Sequence, residues 1–240
     1  MIWQETIKKL AIKFQTIPEN IAREYFQHLF LRTFYQQDGS EKILFKGGTA
    51  LRIIYGSPRF SEDLDFSGFQ TNPQEIENLL ETTIFAISLE EKTELEETKA
   101  TTGGYLARIV GEIAGLKIGL GLEISLRNGR KIAGEAKPIP NVYLPEYTVV
   151  ILPEKILFLE KIQALLGRGK PRDFFDLYFL LRGDFGKEIG IVDRKEILKK
   201  LEDIDNRLIT SELKTFLPKS HHLILPRFKE NLKSELEKFR

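Results

Sequence analysis

Two aspartates one residue apart, Asp63 and Asp65, follow a glycine pair, Gly47 and Gly48, in the segment KGGTALRIIYGSPRFSEDLDF. In an extended segment successive side chains alternate between faces, so both carboxylates project the same way, ~7 Å apart along the backbone. Carboxylate oxygens at this spacing can bind one or two Mg²⁺ or Mn²⁺ ions, which prefer hard oxygen ligands. The segment therefore predicts a site for metal ions and a nucleoside triphosphate.

The residues around the glycine pair predict how phosphates could be held. A short strand is expected at Glu41–Phe45, then a turn at Gly47 and Gly48, then a helix at Thr49–Tyr55. Backbone amides at the start of that helix would face anionic phosphates. A glycine pair between a strand and a helix is, however, usually only a tight turn.

An Asp-x-Asp pair is likewise usually a solvated edge of a strand or loop. Here Asp63 and Asp65 stand between Phe60 and Phe66, in a segment that reads as a buried strand. Buried carboxylates without a partner are costly, so a cation explains the pair better than solvent does.

Apolar periodicity organises the rest of the chain. Helices are expected at 3–14, 18–37 and 73–87, alternating strands at 90–97, 104–113 and 116–126, and further helices at 153–167, 171–183, 193–203, 207–216 and 226–239. In the strand at 116–126 the apolar residues share one face, and Glu123 lies on the other face after two glycines. The lysine-bearing helix at 153–167 places Lys161 mid-helix among hydrophobic residues, where a lysine is more often a surface residue with a buried stem.

The helix from Pro171 carries a pair of aspartates, Asp173 and Asp176, on one face. Arg172 and Asp176 are spaced for a pair within the helix, and Asp173 suits the helix start through the dipole alone. The residues alone do not decide whether Asp173 caps the helix or takes part in catalysis.

The strings GGTALR and RFSEDLDF resemble the AbiEii/AbiGii toxin family of nucleotidyltransferases, a branch of the DNA polymerase β-like superfamily. A second block, EKILFLEKIQALLGRGKPRDFFDLYFLL, is similar to that family's later motifs. The resemblance implies an α+β fold: a polymerase β-like core with a mixed, twisted sheet flanked by helices, followed by a C-terminal helical region. It also places the core with its N-terminal helices at 1–150 and a helical domain completing the active site at 151–240.

The resemblance implies roles for individual residues. Asp63 and Asp65 would bind the metal, with Glu123 on a neighbouring strand as the third ligand and an aid to the attacking hydroxyl. A strand glutamate facing water is the other interpretation of Glu123, and Glu112 is a weaker substitute. The remaining assignments are nucleotide binding by Gly47, Gly48, Thr49, Arg59, Ser61 and Lys161, catalytic roles for Lys161 and Asp173, and acceptor binding by Arg168, Lys170, Arg172 and Asp176.

Composition agrees with a soluble cytoplasmic enzyme. The chain has 240 residues, 42% of them hydrophobic, and no cysteine, which excludes disulfides and zinc-thiolate sites. The N-terminus lacks a signal-peptide pattern, and no apolar run reaches transmembrane length. The net charge is +1, with an acidic excess in residues 1–150 and a basic excess in residues 151–240. The basic residues near the second block could grip a polyanion, or could simply form a solvated surface.

The resemblance implies the toxin of a toxin-antitoxin (abortive infection) system, with a separate antitoxin protein as partner. It would transfer a nucleoside monophosphate from a nucleoside triphosphate, with Mg²⁺ or Mn²⁺, to an RNA acceptor such as the 3′ end of transfer RNA. A protein hydroxyl as acceptor and a non-catalytic nucleotide-binding module are the alternatives.

Overall fold

The computed structural model describes residues 2–127, 132–183 and 194–238. The chain forms two compact units. The first comprises Met1–Gly56 and Phe60–Pro153, and the second comprises Ser57–Arg59 and Glu154–Arg240. The short segment Ser57–Arg59 therefore belongs to the C-terminal unit, although the residues on both sides of it belong to the first unit.

A mixed β-sheet forms the first unit. Its strands are β1 (Ile43–Lys46), β2 (Leu64–Phe69), β3 (Thr93–Thr101), β4 (Gly104–Ile113), β5 (Leu116–Arg127), β6 (Glu135–Ile139) and β7 (Tyr147–Ile151). Within the described residues these seven strands lie in the order β3-β4-β5-β2-β1-β7-β6. The β2–β5 and β1–β7 pairs are parallel, and the other pairs are antiparallel.

Helices cover this sheet. They are α1 (Gln4–Lys13), α2 (Pro18–Phe34), α3 (Gly47–Ile53) and α4 (Pro73–Ser88). Helix α2 begins with Pro18, whose fixed φ suits the first turn, and most of its side chains are buried. Phe30 and Phe34 stack on each other and contact Phe66 of β2, which in turn contacts Phe45 of β1. This aromatic cluster holds α2 against the two strands nearest the candidate site.

The alternation in β5 is confirmed. Ile118, Leu120, Leu122 and Ile124 are buried, whereas Glu123 is exposed on the opposite face. Because side chains alternate along a strand, this one pattern both builds the core and directs Glu123 away from it.

The second unit is helical. It contains α5 (Glu154–Arg168), α6 (Pro171–Arg182), α7 (Arg194–Asp203), α8 (Asn206–Phe216), a 3₁₀ segment (Lys219–Arg227) and α9 (Phe228–Lys238). Phe175 and Tyr178 of α6 pack against Phe228 of α9. The helices expected here are confirmed, although residues 193 and 239 of their expected ranges lie outside the described residues.

Three local expectations need correction. Helix α3 begins at Gly47 rather than at Thr49, β1 begins at Ile43 rather than at Glu41, and β3 begins at Thr93 rather than at residue 90. The strands β6 and β7 are additional to the expected elements. The α+β class with a mixed sheet and C-terminal helices is confirmed. None of the described helices combines the length and apolar character needed to cross a membrane.

Candidate active site

Asp65 and Glu123 are neighbours in the sheet. The parallel pairing of β2 with β5 aligns Asp65 with Glu123, and the antiparallel pairing of β1 with β2 aligns Lys46 with Asp65. Directly paired residues project to the same face of a sheet, and adjacent strands lie about 4.8 Å apart. Two carboxylates and a lysine therefore share one face where three strands adjoin.

Asp63 lies just outside the sheet, because β2 begins at Leu64. Its side chain is exposed, so the expectation of a buried strand running through both aspartates was wrong at this position. A Cβ on Gly121 would lie 2.6 Å from Asp63 Oδ1, which puts the carboxylate directly over that glycine of β5. Gly121 and Glu123 are two apart on one strand, so Asp63 still lies on the face that carries Asp65 and Glu123.

Gly47 makes room for Asp65. It has a φ of +84°, a conformation that favours glycine, and a Cβ there would lie 2.6 Å from Asp65 Cβ. Any side chain at this position would be strained and would displace the aspartate. The first glycine of the pair is therefore required by both the backbone and the carboxylate beside it.

Thr49 hydrogen-bonds the backbone at Asp63. It is fully buried, and its hydroxyl donates to the backbone oxygen of Asp63. The hydroxyl is thus engaged with the protein, and phosphate binding by Thr49 stays a prediction. Gly48 is also buried.

The donor chemistry of this face fits a hard divalent cation. Asp63, Asp65 and Glu123 supply only oxygen ligands, and Gly47 and Gly121 leave the space that the two aspartates occupy. Across residues 2–127, 132–183 and 194–238, no three acidic or histidine side chains already converge as a metal site. The three carboxylates would therefore have to draw together around an ion.

Asp176 is the centre of a buried charge cluster in the helical unit. Its carboxylate accepts two hydrogen bonds from Arg59, at 2.8 and 3.0 Å, and one from Lys161 Nζ at 2.9 Å. The side chains of Asp176 and Arg59 are 1% and 4% exposed. Burial alone would raise the pKa of Asp176, but the charges of Arg59 and Lys161 outweigh burial and hold that pKa at about 2.

This cluster corrects two expectations. Asp176 pairs with Arg59 and Lys161, and not with Arg172, which instead approaches Glu212 at 3.8 Å. A carboxylate this buried offers no surface to an acceptor. The side chain of Arg59 is engaged with Asp176, and its role in nucleotide binding stays a prediction.

Asp173 caps its helix. One carboxylate oxygen accepts the backbone N–H of Lys170 at 3.0 Å, and Arg168 donates to both oxygens at 2.9 and 2.8 Å. The capping alternative for Asp173 is therefore realised, and a catalytic role stays a prediction. Arg168 and Lys170 are exposed and Arg172 is partly exposed, and acceptor binding by these three stays a prediction.

Polar residues of α2 form a hydrogen-bond network that the sequence motifs do not predict. Glu24 binds Arg52 of α3 at 2.8 Å and accepts the hydroxyl of Tyr143 at 2.8 Å, while Gln27 donates to the loop before Asp63. Burial first, and then the charge of Glu24, raises the pKa of Tyr143. The available signal was the run of polar residues within an otherwise apolar helix.

A mixed sheet that presents a glycine turn and acidic residues on adjacent strands, followed by helices, is the arrangement of a nucleotidyltransferase. The family model of the nucleotidyl transferase AbiEii toxin of type IV toxin-antitoxin systems matches residues 29–239. The chain belongs to this family and is a nucleotidyltransferase toxin. Membership implies a nucleoside triphosphate as substrate and a cognate antitoxin as partner.

Solved structures support the fold. JHP933 from Helicobacter pylori is 22% identical, with 93% of this chain and 95% of that chain covered and a TM-score of 0.58. MenT4, a nucleotidyltransferase toxin from Mycobacterium tuberculosis H37Rv, is 19% identical, with 98% and 89% covered and a TM-score of 0.65. At these identities the likeness concerns the fold alone. A comparison with curated proteins finds no match.

Proposed function

We propose that this toxin transfers a nucleoside monophosphate from a nucleoside triphosphate to an RNA acceptor, such as the 3′ end of transfer RNA, with Mg²⁺ or Mn²⁺. The observation that supports the metal-dependent chemistry most directly is the register that pairs Asp65 with Glu123. Asp63 stands on the same face, over Gly121. In this proposal Asp63, Asp65 and Glu123 bind the metal.

A divalent cation bound there supplies positive charge that stabilises the oxygens of the reacting phosphoryl group. The acceptor hydroxyl attacks the α-phosphorus, a new O–P bond forms, and the bond to pyrophosphate breaks. Glu123, exposed beside Asp65, is placed to help take the hydroxyl proton.

Phosphate binding is assigned to the turn that adjoins Asp65. In this proposal the backbone of Gly47, Gly48 and Thr49 cradles the β and γ phosphates, since Gly47 carries no side chain that would obstruct them. Roles for Ser61, Lys161 and Asp173 remain predictions from the family resemblance.

The RNA acceptor is supported by charge. Arg168 and Lys170 are exposed cations in the turn before α6, a placement suited to phosphate contacts. Contacts with phosphates contribute affinity for RNA but do not recognise particular bases, so they do not indicate which RNA is bound. The cytoplasm supplies both the donor and the acceptor.

The test is a transfer assay with each α-³²P-labelled triphosphate, Mg²⁺, and either total RNA or RNase-treated cell extract. We expect label in RNA, and Asp63→Ala should lower transfer by at least about a hundredfold. Label only in protein would overturn the RNA acceptor, and undiminished transfer by Asp63→Ala would overturn the metal-site assignment.

A matched pair isolates the third carboxylate. Glu123→Gln should lose most of the transfer activity. Glu112→Gln should keep it, because Glu112 is opposite Lys117 at the other end of β5 and pairs with Lys92. Equal losses in the two variants would contradict the role of Glu123.

A further inference from the structure

We infer that Gln27 of α2 is a positioning residue that sets the place of Asp63. The inference rests on the proposed function, because Asp63 is one of the carboxylates assigned to the metal. Gln27 is 1% exposed, and its Nε2 donates to the backbone oxygens of Ser61 at 2.9 Å and Glu62 at 3.3 Å.

The chemistry of the side chain matches this task. A primary amide carries two N–H donors, and Gln27 directs them at two consecutive carbonyls. Those carbonyls immediately precede Asp63, whose own carbonyl accepts the hydroxyl of Thr49. Two side chains, one from α2 and one from α3, thus hold three successive carbonyls of the loop.

Asp63 differs from the other two carboxylates in its place relative to the sheet. Asp65 and Glu123 lie within paired strands, whereas Asp63 precedes the first residue of β2. The backbone of Asp65 and Glu123 is positioned by strand pairing, and the backbone leading to Asp63 is held by side chains. A buried primary amide must have its donors satisfied, and both hydrogen bonds of Gln27 Nε2 end on this loop.

The test uses Gln27→Met, which keeps the size of the side chain and removes both donors. Binding of Mn²⁺ to the full chain without nucleotide is measured by electron paramagnetic resonance, alongside transfer activity. Loss of a group that orients a metal ligand costs 10- to 100-fold, so we expect Mn²⁺ affinity and kcat to fall about tenfold.

Asn20 provides a matched control. It is on the same helix and is 2% exposed; its Nδ2 donates to Thr16, just before the helix, at 2.9 Å, and its Oδ1 accepts from Arg23 at 3.3 Å. Asn20→Leu should lower the melting temperature by a similar amount and leave Mn²⁺ affinity within about twofold of the wild type. Equal effects of the two variants on Mn²⁺ affinity would overturn the inference and assign Gln27 to general stability.

A double variant tests whether Gln27 acts through Asp63. In the Asp63→Ala background Gln27→Met should have no additional effect on Mn²⁺ affinity, whereas an independent role would give additive losses. Should Gln27→Met not fold, Gln27→Asn keeps an amide but is one methylene too short, and it should weaken Mn²⁺ binding in the same direction. Wild-type Mn²⁺ affinity in both Gln27 variants, with Asp63→Ala inactive, would refute only this inference. Absence of Mn²⁺ binding and transfer in the wild type would refute the proposed function as well.

Discussion

Replacing Asp176 by asparagine should destabilise the helical unit more than replacing Asp173, although both side chains are 1% exposed. The partners differ: Arg59 is 4% exposed, and Arg168 is 49% exposed. Asp176→Asn removes the carboxylate charge that is hydrogen-bonded to the buried guanidinium of Arg59, which costs about 3–5 kcal/mol. Asp173→Asn frees Arg168 into solvent and weakens a cap, at a cost of about 1–2 kcal/mol.

The pKa of Asp176 gives a separate value for how much its ionised carboxylate stabilises the fold. Its pKa falls from 3.8 in the unfolded chain to about 2 in the folded chain, which corresponds to about 2 kcal/mol. Since the folded pKa is the lower one, this stabilisation is complete above about pH 4 and is lost as the pH falls towards 2. The Asp176→Asn variant should lack this loss.

Hydrogen exchange of α5 and α6 amides, followed by mass spectrometry, reports the stability of this unit directly. A loss of 3 kcal/mol or more should speed exchange of the protected amides by more than about a hundredfold in Asp176→Asn, and less in Asp173→Asn. Equal protection in the two variants would refute the reasoning that partner burial decides the cost.

Two further predictions concern the first unit. Gly121→Ala should abolish transfer, because the new Cβ would lie 2.6 Å from Asp63 Oδ1. Gly119→Ala should be tolerated, because its Cβ would meet only the flexible end of the Arg108 side chain, at 3.0 Å. Equal kcat values for the two variants would contradict the role of Gly121. Burial lowers the pKa of His28 from 6.5 to about 4, so the native state loses about 3 kcal/mol of stability as the pH falls from 6.5 towards 4. Urea unfolding should show a smaller loss in His28→Gln, and an unchanged loss would exclude His28 as its source.

Local patterns predicted much of the fold because they are set by neighbouring residues. The alternation in β5 placed Glu123 on the polar face, and Pro171 marked the start of α6. The strand β7 carried a readable signal in the β-branched sequence around Val149 and was missed. The strand β6 contains Pro138 and charged residues, which obscure its pattern.

Long-range pairing was not readable from the sequence. Arg59 and Asp176 are 117 residues apart, and their contact replaces the local Arg172–Asp176 pair that helical spacing favours. Two charges that meet in a buried environment interact more strongly than a solvated pair on one helix. The register of β2 against β5 is equally non-local, since periodicity identifies strands and their faces without specifying which strands pair.

The start of β2 explains why the candidate site uses two kinds of support. β5 begins at Leu116 and extends past the start of β2, so Gly121 provides a flat surface on which the loop before β2 can lie. Asp63 lies one residue before β2, whereas Asp65 is paired with residues of both β1 and β5. A site that must draw its carboxylates together around a cation needs one ligand that can adjust. In the proposed metal site this ligand would be Asp63, and the hydrogen bonds from Gln27 would limit how far its loop can move.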